Sequence, residues 1–517
     1  MQQSDIITFL DQPQAYDLPE NETIGRFDTH ISIVFLAGPY AYKLKRAIAL
    51  PFVDFSRLED RHHFCEKEME ANHIASANLY IGVVPVRRHN DQLVLDGTEG
   101  EVVEWLVKMH RFDQRDLYDH LSNIGHLGKD EINELCDQVC TFYQNTPVQT
   151  EGYGGSGGMV RAFEGHYKAL ANCPDHLFEP NKIDQLKQRI TQEITTYTPL
   201  MDERAAQGYV RHCHGDLHLR NICRFQGQSL LFDAIEFEPD FAVIDIFYDF
   251  AFLLMDLCHR GEFTLANSAL NRYLGRTGDI AALHLLGLYM ASRSLIRTHV
   301  NGVASQNQKT DQDRIKWEND ARTYLEETID ILAPRPTALI AIGGFSGSGK
   351  SSLAQRLAPT LGRKPGAFIA RTDMIRKRLM GVSPNERLPQ NAYTPETSQQ
   401  TYSTLFVELM FALHSGQCAI ADGVFAKPEE RAMLQEIATS QNVPFIGIWL
   451  DAPADTLKNR VSNRQNDPSD ATPEVVDLQQ SFDIGGLDWH RIDATQDVDF
   501  IHKKATSFVK NAVDFPL

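Results

Sequence analysis

Gly344-Phe-Ser346-Gly347-Ser348-Gly349-Lys350-Ser351 has the spacing GxxxxGK[ST], and that spacing dictates the structure on both sides of it. The run Ala338-Leu-Ile-Ala-Ile342 before it reads as a short buried strand, and Ser352-Leu-Ala-Gln-Arg-Leu after it opens a helix. Glycines in such a turn let successive backbone N–H groups point inward around phosphate oxygens, and the helix N-terminus adds positive potential. The expected nucleotide contacts are Gly344, Ser346, Gly347, Ser348, Gly349, Lys350, Ser351 and Ser352. Lys350 would reach the β- and γ-phosphates of ATP or GTP, and the Ser351 hydroxyl would hold Mg2+.

The segment around this loop alternates strand and helix at 338–343, 350–361, 367–372, 397–414, 418–422, 428–440, 444–450 and 453–464. A last strand follows at 489–493, before a final helix. This is the pattern of a parallel sheet with crossover helices. Its start is marked by Ala333-Pro334-Arg335-Pro336, where two prolines end a helical periodicity running from Asp313 to Leu332. Two domains are therefore expected. Residues 336–517 form an α/β P-loop NTPase domain. Residues 1–335, with a small sheet first and helices later, form an α+β domain.

Charge divides at the same place. The chain carries 50 basic and 69 acidic residues, net −19, of which −17 falls before residue 336 and −2 after it. A strongly acidic surface repels a polyanion, which argues against a general nucleic-acid binder. A basic stretch at 356–378, with seven cationic side chains and one acid, is the local exception and reads as an anion-binding face or a solvated one. The eight cysteines form no CxxC pair and sit among apolar neighbours, as free thiols of a reducing compartment do. With no basic, apolar leader and no uncharged apolar run long enough for a bilayer, the expectation is a cytoplasmic protein without a membrane segment.

The second strong signal is His214-Gly215-Asp216-Leu-His-Leu-Arg-Asn221. HGDxxxxN resembles the catalytic loop of aminoglycoside phosphotransferases, choline kinases and fructosamine kinases, a relative of the protein-kinase loop HRDxxxxN. The resemblance implies a bilobal, protein-kinase-like fold for residues 1–335. It makes Asp216 the residue that accepts or orients the acceptor's proton, and Asn221 a Mg2+ ligand. Ser229-Leu-Leu-Phe232 then leads to Asp233, the position of the second metal-binding aspartate, with Glu236 and Asp240 as neighbouring alternatives. Asp249 matches a further family aspartate that supports the loop. Ala41-Tyr42-Lys43 looks like the third-strand lysine that pairs with the nucleotide phosphates; Lys45 points the same way. Its helix partner is expected in Glu66-Lys-Glu68-Met-Glu70, with Glu68 preferred. The connecting hinge is expected near 104–107. His212, Cys213, His214 and His218 crowd together, but no pair has zinc-finger or HExxH spacing. The glycine-rich stretch Gly152–Gly158 follows no strand, lacks a lysine and reads as a loop.

After the P-loop the chain resembles gluconate kinase, shikimate kinase and zeta toxins. That likeness makes Asp373, after the second strand, a base or orienting group, with a helix N-cap as its ordinary alternative. It makes Arg376 an acceptor ligand, Asp422 a carboxylate for Mg2+, and Arg460 and Arg464 lid arginines that close over the phosphates. Taken together the chain resembles the bifunctional aminoglycoside phosphotransferase/ATP-binding proteins, which implies a kinase acting on a small-molecule acceptor. Two other readings stay open. One domain regulates the other, or the second domain phosphorylates a nucleotide or a nucleic-acid end.

Overall fold

The computed structural model describes residues 2–50, 53–149, 152–384, 386–463 and 469–513. The chain divides into two compact units, residues 1–165 with 194–253 and residues 166–193 with 254–517. These units are defined by packing, and the domain boundary at 336 stays a proposal. No helix among the described residues is long and apolar enough to cross a membrane. All eight cysteines are buried.

In the first unit, six strands among the described residues form an antiparallel sheet: β1 Gly25–Asp28, β2 Ser32–Ala37, β3 Tyr40–Lys45, β4 Tyr80–His89, β5 Gln92–Leu95 and β6 Glu101–His110, in the order β1-β2-β3-β6-β4-β5. Side chains of a strand alternate between faces. Ile33, Phe35, Tyr42 and Leu44 therefore pack with Ile6 and Leu10, while Leu36, Ala41 and Val107 pack with Cys65 on the helix Leu58–Ser76. Lys43 and Lys45 have the parity of Ala41 and turn toward that helix. Strands β1 and β5 escape the sequence reading because each is four residues long. Strand β6 runs unbroken to His110, so the chain leaves the sheet beyond the 104–107 segment expected as a hinge. Glu104 is held inside the strand by Arg61 Nε at 2.9 Å and Gln3 Nε2 at 2.8 Å.

The Gly152–Gly158 stretch is only partly a loop, since a helix begins at Gly155. The Asp202 carboxylate accepts the Ser156 N–H at 2.8 Å and so caps a first turn that glycine alone would leave frayed. Further on, Val210–His212 pairs with Val243–Asp245, and the hairpin Ile222–Phe225/Gln228–Leu231 leads to Asp233. Beneath these, Arg204 Nε donates to Asp245 Oδ2 at 2.7 Å, and its terminal nitrogen to Oδ1 at 2.9 Å, with both side chains buried. Removing one partner strands the other charge, so Asp245→Ala should cost about 3–5 kcal/mol in urea unfolding. Arg204→Met combined with Asp245→Leu should recover most of that loss. A cost under about 1 kcal/mol for Asp245→Ala would show that the pair is solvated.

The second unit holds a parallel sheet of five strands among the described residues: β7 Leu339–Gly343, β8 Phe368–Arg371, β9 Ala419–Asp422, β10 Phe445–Asp451 and β11 His490–Asp493, in the order β8-β9-β7-β10-β11. Ile340, Ile342, Ile420, Ile446 and Ile448 pack with Leu353, Leu357 and Val509 of the covering helices. Two helices lie beyond the sequence reading, Thr372–Leu379 and Pro473–Gln480. The outer strand β8 is closed by side chains of the helix Phe263–Thr277. Asn271 Oδ1 accepts from Ile369 N at 2.7 Å and its Nδ2 donates to the Ala367 carbonyl at 3.1 Å, as a neighbouring strand would. The chain thus carries an α+β fold built on an antiparallel sheet and, after it, an α/β fold with the glycine loop on a parallel sheet.

Candidate active sites

The first cluster starts from the parity of β3. Lys43 Nζ donates to Glu68 Oε1 and Lys45 Nζ to Glu68 Oε2, both at 2.8 Å; Lys43 also meets Asp233, and Lys45 meets Glu236. Burial alone would lower the Lys43 pKa, but Asp233, Glu68 and Glu236 outweigh it and hold the ammonium well above its ordinary value. Burial would raise Glu68, but Lys43 and Lys45 reverse this and hold it down at about 2. Glu236, buried beside the same lysines, moves the other way because desolvation dominates.

A depressed carboxylate contributes stability that is present above its unfolded value and is lost as pH falls through its folded value. The gap in urea midpoint between wild type and Glu68→Gln should therefore be constant above about pH 5 and close between 4.5 and about 2. A gap that keeps its full size down to about pH 2 would contradict this network.

The carboxylates near the end of the hairpin differ in exposure. Asp233 is 46% exposed, whereas Glu236 is 5% exposed. Asp240 pairs with Arg161 at 2.8 Å. Asp233 is held at φ +62°, a left-handed conformation that few non-glycine residues adopt. Its amide donates to Tyr80 Oη at 3.1 Å, and the next amide, Ala234 N, donates to Asn72 Oδ1 at 3.0 Å.

The HGD loop is held from below by Asp249, which is fully buried. Its Oδ1 accepts Gly215 N at 2.9 Å; its Oδ2 accepts His214 N at 3.1 Å and Tyr143 Oη at 2.9 Å. Burial lowers the His214 pKa, so the ring is neutral. Nε2 then donates to the Phe232 carbonyl at 2.9 Å, and Nδ1 accepts Asp216 N at 3.3 Å. This ring ties the loop to the residue before Asp233. Asn221 Nδ2 donates to Asp216 Oδ2 and to the Asp216 carbonyl, each at 3.0 Å, and His218 Nε2 lies 3.2 Å from the same carboxylate. With its Nδ2 turned toward Asp216, Asn221 directs Oδ1 the opposite way. Asn221 Oδ1 and the Asp233 carboxylate are hard oxygen donors and suit Mg2+.

In the second unit the loop 344–351 has a packed back and an open front. A Cβ on Gly347, at φ +85°, would lie 2.6 Å from the Leu457 carbonyl; one on Gly349, at φ +93°, would meet nothing within 4 Å. Lys350 Nζ donates to the Phe345 carbonyl at 3.0 Å. The Ser348 side chain is buried, Ser351 is half-buried and Ser352 is exposed on the first helical turn. Asp422, at the end of β9, is buried, and desolvation raises its pKa against the pull of Arg371, Lys350 and the Ser351 hydroxyl. Its Oδ2 is buried without a hydrogen-bond partner among the described residues. A buried carboxylate oxygen that takes no hydrogen bond among the described residues, with Arg371 Nε 3.6 Å away and the Ser351 hydroxyl beside the carboxylate, fits a Mg2+ ligand set.

Asp373 is the second residue of its helix, and Arg371 occupies the N-cap, so the ordinary capping role falls elsewhere. The Asp373 carboxylate lies 3.7 Å from Arg371. Arg376 is buried, with its guanidinium carbon 4.9 Å from the centre of the Tyr393 ring and one nitrogen 3.2 Å from the Ala392 carbonyl. Arg460 donates to the Ala494 carbonyl at 2.8 Å. Arg464 lies outside the described residues. Sequence reasoning missed Gln479, which bonds Ser346 from a position 133 residues along the chain, and the double use of Glu68 by Lys43 and Lys45.

The family profile described as "AAA domain" matches residues 339–482, which include the glycine loop and Asp422. The chain is 26% identical over 491 residues to the uncharacterized protein Rv2004c of Mycobacterium tuberculosis and, equally, to the uncharacterized protein Mb2027c of Mycobacterium bovis, covering 93% of this chain and 94% of each relative. Similar solved structures include a choline/ethanolamine kinase family protein from Mesorhizobium loti, with 14% identity and a TM-score of 0.37, covering 60% of this chain and 92% of that one. A gluconokinase from Sinorhizobium meliloti has 19% identity and a TM-score of 0.26, covering 34% of this chain and 94% of its own.

Proposed function

We propose that the chain is an ATP-dependent phosphotransferase with two Mg·ATP sites, one in residues 1–335 and one in 336–517. Each transfers the γ-phosphoryl group to a small acceptor bearing a hydroxyl or amine. One observation carries this reading. In each unit a lysine suited to phosphate stands with hard oxygen donors: Lys43 with Asp233, and Lys350 with Ser351 and Asp422.

In the first site the acceptor oxygen or nitrogen attacks the γ-phosphorus, the bond to the β-phosphate oxygen breaks, and Asp216 takes the acceptor's proton. Lys43, steadied by Glu68, binds the nucleotide phosphates; Asn221 and Asp233 would hold the metal. In the second site the loop amides and Lys350 bind phosphate, and Ser351 and Asp422 would hold the metal. Asp373 orients the acceptor, Arg376 binds it, and Arg460 and Arg464 close over the phosphates. Mg2+, when bound, neutralises charge on the transferred group.

A second reading, with the P-loop unit sensing nucleotide for the first, is favoured by the bond from Arg460 to the Ala494 carbonyl. ATP turnover against aminoglycosides, sugars, sugar acids and nucleosides, with Asp216→Ala and Lys350→Ala alongside, separates the two. Loss of a different acceptor's phosphorylation in each variant supports two active sites. Loss in Asp216→Ala, with only an altered ATP dependence in Lys350→Ala, supports the sensor. Unchanged turnover in both variants contradicts both readings.

A further inference from the structure

The back of the P-loop is gripped by two helices, and the polar part of that grip is one side chain. Phe345 packs with Leu457, Val461 and Val476, which belong to Ala454–Ser462 and Pro473–Gln480. It also meets Trp449 edge-on at 5.7 Å. Gln479, buried near the end of the second helix, accepts the Ser346 N–H through Oε1 at 2.7 Å and donates from Nε2 to Ser346 Oγ at 3.1 Å. One carboxamide thus bonds the Ser346 amide and its hydroxyl oxygen at once.

We infer that Gln479 is a positioning residue of the P-loop site: it fixes the backbone at Ser346 from behind, so that the open front of the loop is preorganised for the triphosphate of Mg·ATP. The inference rests on the P-loop reading of Proposed function and adds to it a residue outside the motif. The Ser346 N–H is taken by Gln479 and is not left for phosphate; what is fixed is the backbone on the side where a Cβ on Gly347 would strike Leu457, while Gly349 faces open space. The two helices joined by this grip are themselves linked by Lys458 and Asp477 at 2.5 Å. The helices Ala454–Ser462 and Pro473–Gln480 thus pack on the glycine loop through one apolar cluster. Preorganisation of this kind lowers the cost of ordering the loop on binding.

The test is binding of a fluorescent ATP analogue with Mg2+ to the full chain, in a Lys43→Ala background that leaves the P-loop site to be read alone. Gln479→Ala should raise Kd about tenfold, the loss of two neutral hydrogen bonds. Ser346→Ala, which keeps the amide bond, should raise it about threefold. The double variant should be no weaker than Gln479→Ala, a non-additivity that general loss of stability would not produce. Gln479→Asn keeps the polar group but is one methylene too short; it should weaken binding as alanine does, and it serves if the alanine variant fails to fold. Binding within about twofold of the parent for either Gln479 variant overturns the inference. Lys350→Ala is measured in parallel. If it too binds like the parent, the P-loop reading has failed and takes this inference with it. If it loses binding while the Gln479 variants do not, only the inference falls.

Discussion

Asp216→Asn is expected to lower phosphorylation by the first site about 10²–10⁴-fold, the usual contribution of a positioned general base. That corresponds to about 3–5 kcal/mol of transition-state stabilisation. The isosteric amide keeps an oxygen for the Asn221 Nδ2 donor now at 3.0 Å, so the loop should hold its shape. The loss should fall on kcat with KM for ATP nearly unchanged, because Lys43, the lysine proposed to bind phosphate, is tied to Glu68 and Asp233. Steady-state kinetics with a phosphorylated acceptor read this directly. A tenfold rise in KM with kcat intact would make Asp216 a binding residue and move the base elsewhere.

Lys350→Ala should have the other large effect, a loss of about 10²–10³-fold or more in turnover at the second site. Two observations set its size. Lys350 lies close enough to Asp422 to act on its ionisation, and Asp422 has a buried oxygen without a hydrogen-bond partner among the described residues. Removing the ammonium leaves that carboxylate less compensated, so its pKa should rise further and the metal should bind more weakly at pH 7. The variant should therefore show both a lower rate and a higher Mg2+ requirement. A rate within threefold of wild type at saturating Mg2+ would sink the role given to Lys350.

How much could be read ahead of the structure depended on where each chemistry sits in the chain. The P-loop and the HGD loop were legible because their geometry is made by consecutive residues. The parallel sheet was legible because its strands are short apolar runs alternating with helical segments. The helix Leu58–Ser76 was located, but its buried face is Arg61, Cys65, Glu68, Asn72 and Ser76. A polar buried stripe carries no hydrophobic period, and its residues are explained only by partners on β3, on β6 and after the hairpin. Gln479 was invisible for the same reason: a glutamine on a helix has no pattern until Ser346 is beside it. Gly155–Gly158 went the other way, since glycines that read as a loop enter a helix once Asp202 caps it.

The most direct test of the account is the stoichiometry of Mg·ATP binding to the full chain by isothermal titration calorimetry. Two sites are expected in the wild type, one in Lys43→Ala, one in Lys350→Ala and none in the double variant. A single site in the wild type, lost in only one of these variants, would contradict a chain with two phosphate-handling centres.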